Sequence, residues 1–517
     1  MSVLVLALIA TVVLPRLFEP VPEGWVESLW ASPDQLAIAA GVLPQVLVAI
    51  AAILAGRTAV RRLRQGRGGA PHRLRVQLRS LQWLAVLSQA IAVQFFGWLG
   101  AVRAAVGDLP GADELLALVP ALAAIGSCWW AAHPMEKLLR PALAARRNYV
   151  LGEFRNQLAI LGVPALLAIA TLEASDLLSS RFLDPESALG WMALPAAMLI
   201  VLVFSPVAMI SVLDTTTLAA GTARRIVDDV LRDNGLSLRR VLIWKTGGTL
   251  LNGAVVGVLH PWRYLLLTDA VLNLMSVESL RAIVAHEVGH LRRRHLPWLV
   301  VVAAGILGAS VLAAETAAAT IAEAMRSDSD DSLLEAVLAG EAPISSHDAL
   351  LEVALPVTVA MLVAFVGVGW VSRRFERQAD TFAVQYLSLS AMSEGDGVVG
   401  PESAPVRASA VLAMCRALGR VAELNGVEPR TPSWRHGSIQ SRQRHLVGLL
   451  GQPVRRLRID RQIVAIKMAG VLLLAAVVAI EVLRSGAISW EVAPAETSPL
   501  SWCPPHTTTA GSLDRSR

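Results

Sequence analysis

The sequence predicts a mainly α-helical, polytopic transmembrane protein that carries a small α+β domain divided by two membrane-spanning helices. The chain has 517 residues, of which 54% are hydrophobic and 17% are charged. Its mean hydropathy of +0.54 is higher than expected for a soluble protein of this length. Apolar runs recur along the chain, and two polar regions, 214–296 and 372–462, interrupt them. These two regions are the predicted halves of the α+β domain.

Nine apolar runs are predicted to cross the membrane, and the first six form an N-terminal membrane domain over residues 1–213. The predicted spans lie near residues 2–14, 36–56, 81–101, 113–132, 158–174, 188–213, 298–317, 350–371 and 463–483. The first run could be the apolar core of a signal peptide, but no clear small-x-small cleavage site follows it, so we expect an uncleaved helix. The Pro/Ser/Thr-rich tail, 484–517, is predicted to be disordered.

The charges of the connecting loops predict the orientation of the spans. Loop 57–80 has eight arginines and no acidic residue, whereas loop 318–350 has seven acidic residues against Arg326. Basic loops stay in the cytoplasm, so the N-terminus and both polar regions are expected there. The basic clusters flank apolar spans, which favours a role in membrane topology over nucleic-acid binding.

Two further features of the composition bear on the source and the redox chemistry of the chain. Only three of the 46 basic residues are lysine, which is typical of GC-rich bacterial coding and favours a bacterial plasma membrane. The cysteines Cys128, Cys415 and Cys503 are far apart in the sequence. They form neither a disulfide framework nor a CxxC metal site.

The first polar region is predicted to contain a small sheet followed by a helix. Short strands are expected at Arg239–Lys245, Leu250–Leu259 and Arg263–Thr268, with turns at Gly247–Gly248 and His260–Pro261. An edge strand of such a sheet can pair with the extended backbone of a peptide.

The helix after this sheet carries the sequence HEVGH, His286–His290. Ser276 can cap the helix, and Glu278 lies in its first turn, where the helix dipole favours an acid. His286 and His290 lie four residues apart and therefore on one face, where both can reach one zinc ion. Glu287 lies beside that face and can take a proton from an attacking water. The alternative is a surface helix with two solvated histidines.

A third ligand is expected from the start of the second polar region, SRRFERQAD (372–380). Glu376 can supply a carboxylate oxygen, because a catalytic zinc takes three protein ligands. Asp380, one turn further on, can accept a hydrogen bond from a ligand histidine and fix its tautomer. The alternative is an exposed acidic face beside several arginines. We expect one zinc ion per chain.

These segments resemble a family of integral-membrane zinc proteases that includes the HtpX heat-shock protease and the CAAX prenyl protease. The family pattern SRxxExxAD is matched by Ser372, Arg373, Glu376, Ala379 and Asp380. Further matches upstream are Asn252, Gly257, Thr268 and Asp269. The resemblance covers roughly 240–295 and 372–446, and it implies a zincin-like (gluzincin) metalloprotease domain.

The segment HGSIQSR (436–442) resembles a family stretch of the form HPxLxxR, with Gly437 in place of proline. His436 can stabilise developing charge at a zinc-bound oxyanion. Arg442 can pair with a carboxylate or hold a substrate backbone. The alternative is a basic loop against anionic lipid. The expected site is catalytic Glu287 and His436, metal ligands His286, His290 and Glu376, supporting Asp380, and substrate-binding Asn252 and Arg442. His295 is expected to be solvated or among lipid headgroups.

The leading hypothesis is a membrane-bound zinc endopeptidase that hydrolyses membrane-associated proteins near the cytoplasmic surface, with membrane protein quality control as a candidate role. His290 lies eight residues before Trp298, about 12 Å along a helix, and Glu376 lies five residues after the eighth predicted span, about 8 Å. The zinc should therefore lie within roughly 10 Å of the membrane surface. The alternative is a membrane sensor or scaffold whose zinc domain binds a partner or transduces a signal. A purely structural zinc site would have four protein ligands and no base, which favours the enzyme.

Overall fold

The computed structural model describes residues 7, 10–11, 33–66, 69–107, 112–139, 143–167, 170–171, 188–325, 355–393, 404–455 and 457–484. Almost all of the predicted first span, most of the acidic loop and nearly all of the predicted disordered tail lie outside these residues. Part of the predicted fifth span lies outside them as well.

The described part of the chain is mainly helical. In chain order its α-helices are α1 (Pro33–Arg64), α2 (Ala70–Phe95), α3 (Trp98–Val106), α4 (Ala112–Leu139), α5 (Arg146–Gln157), α6 (Ala188–Val212), α7 (Thr222–Asp233), α8 (Asp269–Leu274), α9 (Val277–Arg292), α10 (His295–Met325), α11 (Leu355–Ser393), α12 (Ala408–Leu424), α13 (Ile439–Val447) and α14 (Arg458–Arg484). A π-helical turn, Leu158–Gly162, follows α5, and a short 3-10 turn, His260–Trp262, precedes the last strand.

Among the described residues, five helices are long and apolar enough to cross a membrane, namely α1, α4, α10, α11 and α14. The prediction of a mainly α-helical integral membrane protein is therefore confirmed. The third predicted span, 81–101, is not one straight helix, because α2 and α3 meet at an angle of 73°. Gly97 stands between them with φ +66°, a left-handed conformation that glycine adopts without a steric penalty.

Two groups of helices pack together through small residues and apolar side chains. In the first group, α1, α2 and α4 enclose a core that includes Leu74, Ile125 and Met135. In the second group, α10 packs against both α11 and α14. A Cβ added at Gly305 of α10 would lie 3.0 Å from the carbonyl oxygen of Gly470 in α14. The missing side chain therefore lets these two helices approach closely.

A four-stranded sheet lies between the two groups in the sequence. The strands are β1 (Thr215–Thr217), β2 (Arg240–Trp244), β3 (Gly253–Val256) and β4 (Tyr264–Thr268), in the spatial order β1-β2-β4-β3. The β2–β4 pair is parallel, and the two outer pairs are antiparallel. The three predicted strands are confirmed as β2, β3 and β4, whereas β1 was not predicted. Its three threonines pair antiparallel with β2 along the edge of the sheet, and so short a polar segment carries no apolar period of its own.

The second predicted strand, 250–259, is shorter than expected, and both of its limits have a physical cause. Before β3, the side chain of Asn425 bonds both the N–H and the carbonyl oxygen of Leu251, each at 2.9 Å. After β3, Gly257 has φ +105°, and a Cβ there would lie 2.0 Å from the carbonyl oxygen of Trp262. Only glycine fits that close approach, and the chain turns there. This leaves β3 as a short edge strand.

One hydrophobic core contains residues from both polar regions of the sequence. It includes Val230 of α7, Leu265 of β4, Val284 of α9, Val384 of α11 and Met414 of α12. The two regions thus fold against each other although α10 and the first part of α11 separate them in the sequence.

Gly289 of α9 lies against α11 at a place where a side chain would clash. A Cβ added at Gly289 would lie 2.9 Å from the ring of Phe382. With hydrogen at that position, α9 can lie directly against α11. This contact brings the histidine face of α9 towards the acidic residues of α11.

Candidate metal centre

Helix α9 begins as its sequence predicts. Ser276 is its N-cap, and its hydroxyl accepts a hydrogen bond from the backbone N–H of Ser279 at 3.3 Å. Glu278 lies in the first turn, and the backbone and Ser276 hydrogen bonds there lower the pKa of its carboxyl. The apolar positions Leu280, Val284 and Val288 are buried, as the helical period predicts. The opposite side of this buried stripe carries the histidines.

The three predicted ligands converge on one point. Nε2 of His286 lies 3.2 Å from Nε2 of His290 and 3.6 Å from Oε2 of Glu376. Nε2 of His290 lies 3.7 Å from Oε1 of Glu376. Ligand atoms at about 2.0–2.1 Å around a tetrahedral zinc ion are roughly 3.3 Å apart. Two imidazole nitrogens and a carboxylate oxygen at these spacings fit a catalytic zinc site.

The other ring nitrogen of each histidine lies 3.0 Å from a polar atom, and both Nε2 atoms face the same point. Nδ1 of His286 lies 3.0 Å from Oδ1 of Asp380. Nδ1 of His290 lies 3.0 Å from Nδ1 of His295. Burial lowers the pKa of His286, but the hydrogen bond and charge of Asp380 outweigh it, so the net shift is upward. Burial holds the pKa of His290 well below its usual value, which keeps that ring neutral.

The guanidinium of Arg442 contacts the carboxylates of both Asp380 and Glu376. Its guanidinium donates two hydrogen bonds to Asp380, from Nε at 2.8 Å and from the NH2 nitrogen at 2.6 Å. Its NH1 nitrogen lies 3.4 Å from Oε2 of Glu376. Burial alone would lower the pKa of Arg442, but the charge of Asp380 outweighs it and raises the value. Of the two roles expected from the sequence, the geometry favours carboxylate pairing, because the buried guanidinium contacts both carboxylates.

His436 lies on the opposite, open side of Glu376. Its Nδ1 is 2.9 Å from Oε1 of Glu376, and about half of its side chain is exposed. The loop that carries it is closed by two backbone hydrogen bonds between Ser433 and Gly437. Trp434 in the same loop stacks on Phe365 of α11, with ring centroids 4.5 Å apart. The loop is thus anchored on α11, and His436 projects beside the ligand cluster.

Glu287 lies between the ligand cluster and the edge strand. Its Oε2 accepts a hydrogen bond from the backbone N–H of Val255 in β3 at 3.1 Å. A Cβ added at Gly253 would lie 3.5 Å from Cγ of Glu287, so the strand passes close to this side chain. Burial raises the pKa of Glu287 to about 7. A carboxyl with this pKa can both accept and release a proton near neutral pH.

Asn252 lies just before β3 and is exposed. Its backbone pairs with Thr268, whose hydroxyl accepts from the N–H of Asn252 at 3.0 Å and whose N–H donates to the carbonyl oxygen of Asn252 at 3.0 Å. The next residue, Asp269, accepts hydrogen bonds from Thr246 and Gly248. The Thr-Asp pair of the sequence therefore holds the start of the edge strand and the preceding turn in place.

A cavity of about 540 Å³ opens over these residues. Its wall includes Asn252, Glu287 and His436, together with Met209 of α6 and Leu213 just after it. The cavity therefore extends from the ligand cluster to the apolar helix α6.

The expectation that His295 is solvated or lies among lipid headgroups is wrong, because the structure buries it with 3% of its surface exposed. Arg294, between α9 and α10, has φ +53°, a left-handed conformation that redirects the chain. This turn brings His295 back against His290. The sequence does not predict this contact, because a continuous helix would direct the side chain of His295 away from His290. The second partner of His295, Gln378, is 83 residues away.

Residues 218–394 match the profile described as Peptidase family M48. The matched segment contains the HEVGH helix, Glu376 and Asp380. Among solved structures, the crystal structure of S. mikatae Ste24p aligns with 15% identity and a TM-score of 0.43, over 81% of this chain and 99% of that chain. No curated protein matches the chain. The match of residues 218–394 to this family confirms the resemblance found in the sequence, and the described residues include five helices long and apolar enough to cross a membrane.

Proposed function

We propose that the protein is a zinc-dependent endopeptidase that cuts membrane-associated proteins close to the cytoplasmic surface of the membrane. The observation that carries this proposal is the position of Glu287, which lies next to a converging His–His–Glu set and touches an edge strand. A zinc ion held only for structure has four protein ligands and needs no carboxylate at that place.

The proposed ligands are His286, His290 and Glu376. Zinc held by these residues would supply a Lewis acid, which would polarise a carbonyl and lower the pKa of a water towards about 7. Glu287 takes the proton from the attacking water and delivers it to the leaving amine. His436 faces the developing oxyanion from the open side and stabilises it by hydrogen bonding. Asp380 holds the His286 ring, and Arg442 holds Asp380.

The edge strand supports a peptide substrate. β3 pairs with β4 on one side only, and on its other side the N–H of Val255 donates to Glu287. An extended substrate backbone would pair with this outer side by replacing that bond. A chain that pairs with β3 passes over Glu287, since the strand lies against that side chain. We propose that Asn252, exposed at the start of this edge, contacts the substrate.

The connection of the site to the membrane supports a membrane-associated substrate. Helix α9 ends at Arg292, and the spanning helix α10 begins at His295. Helix α11 is continuous from its apolar part to Glu376. The apolar cavity wall at Met209 and Leu213 suits a hydrophobic segment of a substrate. Arg292, Arg293 and Arg294 lie directly before α10, which favours a cytoplasmic position for this end of the helix.

A sensor or scaffold role is the second candidate. The observation that favours it is the separate core of α1, α2 and α4, which lies outside the segment matched to the peptidase family. Such a bundle could couple a membrane signal to the zinc domain.

The test uses the full-length protein reconstituted in liposomes and two reporters that share one cleavable sequence. One reporter has a transmembrane anchor beside this sequence, and the other is soluble and unfolded. We expect faster cleavage of the anchored reporter, and strongly reduced cleavage of both by the zinc-loaded Glu287→Gln variant. Equal rates for both reporters would contradict the positional part of the proposal, and full cleavage activity in zinc-loaded Glu287→Gln would contradict the mechanism.

A further inference from the structure

A chain of hydrogen bonds runs from the ligand His290 to the last membrane-spanning helix. Nδ1 of His290 lies 3.0 Å from Nδ1 of His295. Nε2 of His295 lies 2.9 Å from Oε1 of Gln378 in α11. Nε2 of Gln378 donates to Oδ1 of Asp460 in α14 at 2.7 Å. His295 and Gln378 are buried, with 3% of each exposed.

The direction of every bond in this chain is fixed once His290 binds metal. Its Nε2 lone pair then points to the metal, so its proton resides on Nδ1 and is donated to His295. His295 must accept at Nδ1, so its own proton resides on Nε2 and is donated to the amide oxygen of Gln378. Gln378 then has its amide hydrogens free to donate to Asp460. All donors and acceptors in the chain are matched, and it ends on an anionic oxygen.

We propose that Asp460 and Gln378, acting through His295, orient the ring of His290 and fix the tautomer in which it binds metal. The proposal rests on His290 being a metal ligand. It makes α14, which lies beyond the segment matched to the peptidase family, a supporting part of the metal centre. His295, Gln378 and Asp460 are positioning residues, because none of them lies in the ligand cluster itself.

Further contacts fix α14 against the end of α9. The guanidinium of Arg293 lies 3.3 Å from Oδ1 of Asp460. Lys467 donates to the carbonyl oxygen of Arg293 at 2.9 Å, at the C-terminal end of α9 where carbonyl groups lack helical partners. Lys467 also lies over the ring of Trp298, 5.3 Å from its centroid. These contacts place the start of α14 beside the end of α9, close to the histidine pair.

The ring of His295 also stacks on an aromatic side chain, so a substitution can remove its hydrogen bonds and keep this packing. It stacks on Phe375 with centroids 4.7 Å apart and an interplanar angle of 12°. A His295→Phe variant can retain this stacking while it removes both hydrogen bonds. A His295→Gln variant offers one acceptor and one donor, and can therefore restore the chain.

The experiment measures zinc affinity of the full-length protein in detergent, by competition with a chromogenic chelator. Loss of an outer hydrogen-bond partner of a metal-bound histidine typically costs 10–100-fold in metal affinity. We expect a weakening of about this size for His295→Phe, a substantial recovery in His295→Gln, and a smaller, several-fold weakening for Asp460→Asn. Wild-type affinity in both His295→Phe and Asp460→Asn would overturn the proposal.

A double-mutant cycle separates a shared chain from two independent structural effects. If Asp460 acts through His295, Asp460→Asn should have little further effect on zinc affinity in the His295→Phe background. The matched control is Arg484→Met, which removes a contact of α14 with Glu315 of α10 away from the chain, and whose effect should add to that of His295→Phe. Fully additive effects of His295→Phe and Asp460→Asn would contradict the proposal. Should His295→Phe fail to fold, the same cycle with Gln378→Leu gives the decision.

The readout also distinguishes this proposal from the proposed function. If His286→Ala and the wild-type protein bind zinc equally, the metal site itself is wrong and the proposed function fails. If the wild-type protein binds zinc through His286 but affinity is insensitive to His295 and Asp460, only the hydrogen-bond chain is refuted.

Discussion

The backbone N–H of Val255 donates a hydrogen bond to Oε2 of Glu287 at 3.1 Å, and this bond joins the edge strand to the helix that carries the histidines. It fixes the carboxylate between the place where a substrate backbone would lie and the ligand cluster. It also means that the orientation of the proposed base depends on the strand beside it.

Glutamine at position 287 keeps an oxygen that can accept from Val255 but cannot take a proton from water. We therefore expect Glu287→Gln to fold, insert and bind zinc like the wild-type protein. Its cleavage rate should fall by about 10²–10⁴-fold or more, because the same group serves as base and acid. Zinc content and cleavage of the anchored reporter measure the two effects separately. A sensor or scaffold would instead keep its cellular phenotype in Glu287→Gln and lose it in His286→Ala.

Removal of the carboxylate at position 376 should release the metal. Glu376→Ala deletes one of three ligands and leaves two imidazoles, so we expect much weaker zinc retention after dialysis against a chelator. Glu428→Ala removes an exposed acid in the same half of the domain and is the control. Unchanged zinc retention in Glu376→Ala would exclude Glu376 as a ligand.

Arg442 should contribute to stability as well as to the site. Arg442→Ala would leave Asp380 buried without its bidentate partner, and breaking a buried pair in this way costs about 3–5 kcal/mol. We expect a matching decrease in the free energy of unfolding, measured by denaturant titration in detergent. The control is Arg444→Ala on the same helix, where the side chain is exposed. A substrate-binding role alone would raise KM in Arg442→Ala and leave stability unchanged.

The pKa of Glu287 predicts the acid side of the pH–rate profile. Burial raises this pKa to about 7, so a falling pH protonates the carboxyl and removes the base earlier than for an exposed glutamate. The charge of a bound dication opposes this shift. We expect kcat/KM to fall with decreasing pH with an apparent pKa between about 4.5 and 7. Zinc content must be measured at each pH, because protonation of the histidines also releases metal.

The orientation of the chain can be tested by cysteine labelling from outside intact cells. In a background without Cys128, Cys415 and Cys503, single cysteines placed within 328–332 or 500–505 should react, and cysteines within 61–67 should not. Labelling within 61–67 would reverse the predicted orientation and place the metal centre outside the cytoplasm.

The features that the sequence predicts correctly are those set by local spacing. The cap at Ser276 and the buried stripe of α9 follow from neighbouring residues, and the strands β2 and β4 follow from short apolar runs. The convergence of Glu376 with His286 follows from combining two segments that each have ligand spacing. The roles of these residues stay predictions.

The features that sequence reasoning missed depend on backbone turns and long-range contacts. The bend at Gly97 and the left-handed Arg294 each redirect a chain that its composition alone describes as helical. His295 and Gln378 carry no recognisable spacing, since 83 residues separate them, and their contact depends on the packing of the start of α10 against α11. A lone histidine next to an apolar run gives no signal for such a partner.

Gly289 shows that a metal-binding motif can be constrained at a position the metal does not use. The chemistry of HExxH does not specify its two central residues. The second of them is Gly289, and a Cβ at that position would lie 2.9 Å from the ring of Phe382. Even alanine would push the two helices apart by a few tenths of an ångström, and the donor atoms that face each other across this contact would separate with them. If this helix were transferred to another protein, position 289 would therefore have to remain glycine wherever an aromatic ring lies opposite it. Tolerance to substitution at position 289 measures how rigidly the two ligand-bearing helices are held.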